Sequence, residues 1–338
     1  MTRDGSHDQP VGVSVILTVK NDADGCVQTL ESLTRQTRLP DEVVIVDGGS
    51  TDQTVPAIRT YEAKLTNLRV VDAPGANIAN GREIATRQAR SPIIASIDAG
   101  CRAAPDWLEK LVEPFELDET VEVSAGMYKI APQTLFEEVV GLATMRGQLE
   151  PVDPRTFNPS ARSMAYSKDV WKRAGGWPVW LGFSEDTLFD HRLRRVATGW
   201  HFAGDAVVHW RPRTSFLKLA RQFYSYGTGR GHTQIGASDF AYNLRNIALL
   251  MLTACGVWLS PWATAVAGGL FLYFFVWAYH RKAVQIVRRT RRLQAYPMTL
   301  MVLWVVMISN LAGYLHGSWQ RVLQAGRFRR QLEWYMTA

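Results

Sequence analysis

The most concentrated chemistry in this chain lies in seven consecutive residues, Ser96-Ile97-Asp98-Ala99-Gly100-Cys101-Arg102. The apolar run Pro92-Ile93-Ile94-Ala95 leads into them and Ala103-Ala104-Pro105-Asp106-Trp107-Leu108 follows. Asp98 therefore belongs where a buried strand ends and a loop turns to solvent, the place where open α/β sheets bind ligands. A carboxylate there suits a cation, a ribose or a diphosphate held by a cation, because such groups need hard oxygen ligands. The same residue type also caps helices, and one begins near Pro105. Two further stretches share this character: Asp47-Gly48-Gly49-Ser50-Thr51-Asp52 and Ser184-Glu185-Asp186. An aspartate held at a strand end by a Gly-Gly turn can accept from a base N–H or simply stabilise the turn, and Asp52 fits a helix N-cap. Adjacent acids at a helix start can position an acceptor and take its proton, or only complement the helix dipole. Arg82 and Arg102 carry guanidinium forks suited to phosphate oxygens, and surface solvation is the plain alternative for both.

The elements that must position these residues follow from periodicity. Val11–Val19, Glu42–Val46, Leu68–Val71 and Ile93–Ile97 are short, continuously apolar, β-branched runs that predict buried strands. Between them, helical spacing predicts helices from Val27 to Leu33, Thr54 to Lys64 and Ile78 to Arg90. Four strand–helix alternations with unbroken apolar strands indicate an α/β fold built on a mainly parallel sheet covered on both faces. Farther on, Val121–Met127 predicts a strand and Pro132–Gln148 a helix, and Pro151, Pro154 and Pro159 make 149–162 a loop over the site. A short strand at Ser163–Tyr166, a short helix at Lys168–Ala174 and a strand at Trp200–Trp210 complete this part. The aromatic loop Trp177–Phe183 enters the Glu185–Asp186 helix; Trp177, Trp180 and Phe183 could stack on sugar rings or fill core.

Composition narrows the class. With 338 residues, two structural units are the natural division. The net charge is +7, but the excess gathers in Arg281, Lys282, Arg288, Arg289, Arg291 and Arg292, between two apolar stretches. That arrangement predicts a cytoplasmic loop beside anionic lipid, and it favours a membrane over nucleic acid as partner. Cys26, Cys101 and Cys255 give neither a CxxC pattern nor a disulfide framework, which fits a reducing compartment. The polar start, Met1 to Pro10, lacks the apolar core of a signal peptide. From Asn246 to Tyr279 the chain is nearly all apolar, interrupted at Ser260-Pro261, and Met298 to Gly317 is apolar again. The first stretch suits either a tight hairpin bent at Ser260-Pro261 or one long kinked helix. Ser215 to Tyr226 predicts an amphipathic helix at the membrane surface.

Thr18-Val19-Lys20-Asn21, Asp47-Gly48-Gly49-Ser50-Thr51-Asp52, Asp98-Ala99-Gly100 and Ser184-Glu185-Asp186, in this order, resemble the family 2 glycosyltransferases of the GT-A fold over residues 11 to 235. The resemblance implies transfer of a sugar, with inversion, from a nucleotide-diphosphate donor. It places Asp47 on the nucleotide base, with Lys20 and Asn21 beside it, and Asp98 near ribose and metal as the first acid of a DxD motif. It makes Asp186, with Glu185, the general base on the acceptor hydroxyl. It also puts His209 where related enzymes hold a divalent cation, Mn²⁺ or Mg²⁺, although a lone histidine after a strand is commonly structural. Two positions depart from the pattern: Gly100 replaces the second acid of DxD, and Gly48 replaces an Asp. The charge on the diphosphate would then fall to Asp98 and its metal with other ligands, or to basic side chains such as Arg82 and Arg102.

The resulting layout has a disordered N-terminus at 1–10, a GT-A domain at 11–235 with an interfacial helix at 215–227, a transmembrane module at 240–320 with spans 246–260, 262–279 and 298–317, and a basic tail at 321–338. It implies a multi-pass inner-membrane protein with a cytoplasmic catalytic domain that acts on a lipid-linked or cell-envelope glycan acceptor. The stretch Arg221-Gln222-Phe223-Tyr224 contains no QxxRW sequence, which argues against a processive synthase. Gly100 and Gly48 motivate a rival from another class, an inert GT-A-like membrane scaffold.

Overall fold

The computed structural model describes residues 11–65, 67–256, 260–273 and 277–337. The expected disordered start, 1–10, lies outside them. In chain order the elements are β1 (Val13–Val19), α1 (Ala23–Leu33), β2 (Glu42–Asp47), α2 (Thr54–Arg59), β3 (Leu68–Asp72), α3 (Ile78–Gln88), β4 (Ile93–Ser96), β5 (Cys101–Ala103), α4 (Trp107–Leu117), β6 (Val123–Ile130), α5 (Leu135–Thr144), β7 (Met164–Ser167), α6 (Lys168–Arg173), α7 (Glu185–Val196) and β8 (Trp200–Trp210). Helices α8 (Phe216–Thr233), α9 (Ala237–Gly256), α10 (Pro261–Phe271), α11 (Trp277–Thr290), α12 (Ala295–Leu323) and α13 (Ala325–Thr337) follow. The chain forms two compact units, one of residues 1–129, 152–211 and 331–338, the other of 130–151 and 212–330.

The first unit is built on an eight-stranded sheet of order β3-β2-β1-β4-β7-β6-β8-β5. The predicted parallel sheet is present in β3-β2-β1-β4, where β1 pairs in parallel with both β2 and β4. Antiparallel pairings β4–β7, β7–β6 and β8–β5 extend it. Every residue of β2 and β4 is buried, which explains their continuous apolar sequence. Ile16, Val44, Val46, Ile94, Met164, Tyr166 and Phe189 meet in one core cluster, so strands from both halves of the sheet share a single interior with α7. Caps fix the helix starts: the Asp22 side chain accepts from Gly25 N–H at α1 and Asn77 from Asn80 N–H at α3. The expected helix from Thr54 to Lys64 ends at Arg59 and continues as turns.

In the second unit, α5, α8, α11 and α12 share an apolar cluster that includes Val139, Leu219, Ile286, Ala295 and Val302. Helix α8 runs beyond the expected interfacial segment. Its Gly227 and Gly231 face Gly313 and Gly317 of α12. A β-carbon added at Gly227 would overlap the carbonyl oxygen of Asn310, and one at Gly313 that of Tyr224. Small residues four apart on both helices let the backbones touch, the device used where helices pack in apolar surroundings. Helices α9 and α10 lie side by side, with Gly268 against Thr253, so the interruption at Ser260-Pro261 separates a hairpin pair. Parts of the expected spans, 257–259 and 274–276, fall outside the described residues. Among the described residues one helix, α12, is long and apolar enough to cross a membrane; its 29 residues contain an 18-residue window of mean hydropathy 1.8.

Candidate active site

Because β1, β2 and β4 are parallel neighbours, their C-terminal ends lie at one edge of the sheet and release three loops there. Between the loops after β1 and β2 and the start of α3 opens a cleft of about 240 Å³, lined among others by Thr18, Lys20, Gly48, Ala76, Asn77 and Gly81. Asp47 lies buried beside it. Its Oδ2 accepts from the backbone N–H of Gly49 at 3.1 Å and Ser50 at 2.8 Å, and its Oδ1 from the Ser50 hydroxyl at 2.5 Å. The carboxylate thus holds its own loop in shape. Asn21, in the left-handed region at φ 51°, ties the neighbouring loop to it: its Oδ1 accepts from Thr51 N–H at 2.8 Å, and its own N–H donates to the Ser50 hydroxyl. Asp52 accepts from the backbone N–H and the hydroxyl of Thr54, just ahead of α2.

A second group forms around Arg82, which is buried in α3. One terminal guanidinium nitrogen donates to Asp98 Oδ1 at 2.7 Å and the other to Glu185 Oε1 at 2.5 Å. The guanidinium also lies over the Trp177 ring, 5.1 Å from its centroid. Burial works against its charge, yet Asp98, Glu185 and Asp186 hold Arg82 above the ordinary arginine value. Burial pushes the Glu185 carboxyl up to about 7 despite the pull of Arg82. Asp186, beside it at the start of α7, is half-buried. The structure therefore brings Arg82, Asp98, Glu185 and Asp186 into one cluster. It places Arg82 there as a buried bridge between two carboxylates, not as an open clamp at the mouth of the cleft.

Sequence reasoning missed two members of this neighbourhood. Arg162, at the end of the 149–162 loop, brings its Nε within 4.0 Å of Asp98 Oδ2 and stacks between Tyr128 and Trp210 at 5.1 and 5.0 Å. The visible signal was a single arginine inside Ser160-Ala161-Arg162-Ser163-Met164, an otherwise small and apolar run entering a strand. Asp190, one turn after Asp186, is fully buried; burial and then Asp186 raise its carboxyl well above the usual range. Its Oδ1 has no hydrogen-bond partner among the described residues. Of the aromatic loop, Trp177 is core, stacked on Phe189 at 4.0 Å, whereas Phe183 is exposed. Burial, and next Asp98, pushes the Cys101 thiol up to about 12, and the side chain is fully buried.

Asp98 and His209, the expected cation pair, come from different elements: Asp98 follows β4 and His209 belongs to β8. His209 pairs with Arg102 across β5–β8, while Cys101 pairs with Trp210. Alternate residues of a strand point to opposite faces, so Arg102 and His209 share one face and Cys101 and Trp210 the other. Arg162, the neighbour of Asp98, stacks on Trp210; burial, Arg102 and Lys129 depress the imidazole of His209. Asp98 is thus bound to Arg82 and approached by Arg162, and His209 has Arg102 and Lys129 near it. Among the described residues no three His, Cys, Asp or Glu side chains lie close enough to hold a metal. The donor set does not fit a built divalent-cation site.

Residues 14–164 match the family model described as Glycosyl transferase family 2. The chain carries a family 2 glycosyltransferase domain. This glycosyltransferase is 26% identical over 247 residues to Glycosyltransferase AglE of Haloferax volcanii, an alignment covering 71% of this chain and 79% of that protein. It is 24% identical over 233 residues to the succinoglycan biosynthesis protein ExoA of Rhizobium meliloti, covering 64% and 68%. Among solved structures, the mannosyltransferase PcManGT from Pyrobaculum calidifontis, in complex with GDP-Man and Mn²⁺, superposes with a TM-score of 0.58 at 19% identity over 93% of this chain and 89% of that one. That likeness shows the GT-A fold.

Proposed function

We propose that this glycosyltransferase moves one sugar per encounter, with inversion, from a nucleotide-diphosphate donor to a hydroxyl of a lipid-linked or cell-envelope glycan. Asp186 is the general base. The observation that carries this reading is the division of labour in the Glu185–Asp186 pair: Glu185 is bound to buried Arg82, whereas Asp186 stays half-open at the same helix start. The acceptor oxygen gives its proton to the Asp186 carboxylate and attacks the anomeric carbon. The bond from that carbon to the diphosphate oxygen breaks, and the nucleoside diphosphate leaves with the electron pair. The cleft beside Asp47, Lys20 and Asn21 suits the nucleoside, with Asp98 farther along the same sheet edge. No step here is routed through a metal.

The acceptor class and the membrane placement rest on the second unit. Apolar α12, the hairpin of α9 and α10 and the arginine-rich stretch 281–292 support an inner-membrane protein whose first unit is cytoplasmic. The Rhizobium relative is a succinoglycan biosynthesis protein, which supports a glycan acceptor. The test is transfer by the purified full chain in detergent, with UDP-, GDP- and dTDP-sugars and polyprenyl-linked acceptors. Release of nucleoside diphosphate with a single added sugar of inverted configuration is the expected result. Long products would show processivity, retained configuration would remove Asp186 from its role, and absence of both turnover and donor binding would leave the scaffold reading.

A further inference from the structure

The loop from Asp98 to Cys101 is tied to α1. Gly100 N–H donates to the Gly25 carbonyl and the Thr29 hydroxyl, both at 3.0 Å, and the Thr29 hydroxyl donates to the Cys101 carbonyl at 2.8 Å. In this turn Gly100 has φ +83°, a conformation that residues with a side chain rarely adopt. The backbone thus disfavours an acid at the one position where the resemblance expects the direct metal ligand. The remaining acid, Asp98, has Arg82 on one oxygen and Arg162 near the other. A divalent cation approaching that carboxylate would meet two guanidinium charges already in place.

We infer that donor binding in this enzyme is independent of a divalent cation, with Arg162, anchored by Asp98 and clamped between Tyr128 and Trp210, supplying positive charge to the diphosphate. The inference rests on the glycosyltransferase reading above. A guanidinium presents paired N–H donors that match phosphate oxygens, and it keeps its charge at every working pH. The aromatic clamp and a hydrogen bond from Arg162 Nε to the Ser160 hydroxyl at 3.0 Å fix its orientation before any donor arrives. Lys20, on the wall of the cleft, adds a second, exposed cation. Arg82 completes the arrangement from behind by holding Asp98.

The test is calorimetric binding of UDP, GDP and dTDP to the purified full chain, in EDTA and in Mn²⁺. The expected result is binding of at least one of them in EDTA, with a Kd within about threefold of that in Mn²⁺ and a loss of about tenfold or more in Arg162→Gln, as expected when a charge-assisted phosphate contact is removed. Arg162→Lys, which keeps the charge, should recover part of that loss. Lys20→Gln, at an exposed position, provides a readout that does not depend on a buried side chain and should weaken binding several-fold. Binding only in Mn²⁺ overturns the inference and leaves the glycosyltransferase reading standing. Binding in EDTA that Arg162→Gln, folded by circular dichroism, leaves unchanged overturns the role of Arg162. Failure to bind any nucleotide under either condition overturns the inference together with the donor reading on which it rests.

Discussion

Asp47 and Asp98 stand at the ends of parallel strands in one sheet, yet their carboxylates are held in opposite ways. Asp47 is satisfied within three residues of itself, by Gly49 and Ser50. Asp98 is satisfied by Arg82, sixteen residues away, and approached by Arg162, and the same Arg82 reaches Glu185 more than a hundred residues on. The first acid shapes a loop. The second ties β4, α3 and the start of α7 into one charged unit, so that the strand end and the helix carrying the proposed base cannot move apart without exposing buried charge.

The sharpest way to break this contrast is Arg82→Met. It leaves Asp98 and buried Glu185 without their shared cation, and it should cost about 3–5 kcal/mol of stability, read by chemical denaturation, along with activity. The same cluster sets a pH dependence. The Glu185 carboxyl is raised from 4.5 to about 7, so the folded state binds its proton more tightly than the unfolded chain does. This contribution is fully present below the unfolded value and is lost as pH rises to about 7. Stability measured between these limits should fall with rising pH, and Glu185→Gln should flatten that slope. Asp186→Asn comes next: folding is unchanged, while transfer should drop by about 10²–10⁴-fold, the usual contribution of a general base. A wild-type rate in that variant would separate the charged unit from the chemistry. Gly100→Asp should destabilise by about 1–2 kcal/mol through its left-handed backbone, read as a lower Tm, and should create no new Mn²⁺ dependence. Asp47→Ala is the smallest: loss of its turn bonds should cost about 1 kcal/mol, with a donor KM that rises more than kcat falls.

What the sequence made legible follows the same division between near and far. Strands β1 to β4 and the helices between them were visible because each is a continuous run with its own period, and Asp47, Asn21 and Asp98 could be singled out as candidates because they close or follow such runs directly. The Glu185–Asp186 pair was proposed from its order relative to them. The Arg82 bridge was not, because nothing within a few residues of Arg82 shows that two distant acids converge on it. Arg162 was hidden for a similar reason: its partners Tyr128, Trp210 and Asp98 come from three separate elements. The antiparallel half of the sheet was obscured because its strands are separated by loops and helices of unequal length. Helix α5, predicted in place, groups with 212–330 rather than with the sheet, since its apolar residues meet α8, α11 and α12. Glycines 227, 231, 313 and 317 lie 82 to 90 positions apart, pair by pair, and only folding reveals that they face each other.

Those four glycines also have a mechanical consequence. Sliding α12 along α8 by one turn, about 5.4 Å, would set Ser309 or Arg321, rather than a glycine, against α8 at one of the two contacts. The pair is therefore locked in register like a toothed rack. An axial push on α12 would not be absorbed by slippage at this contact, and α8 would travel with it.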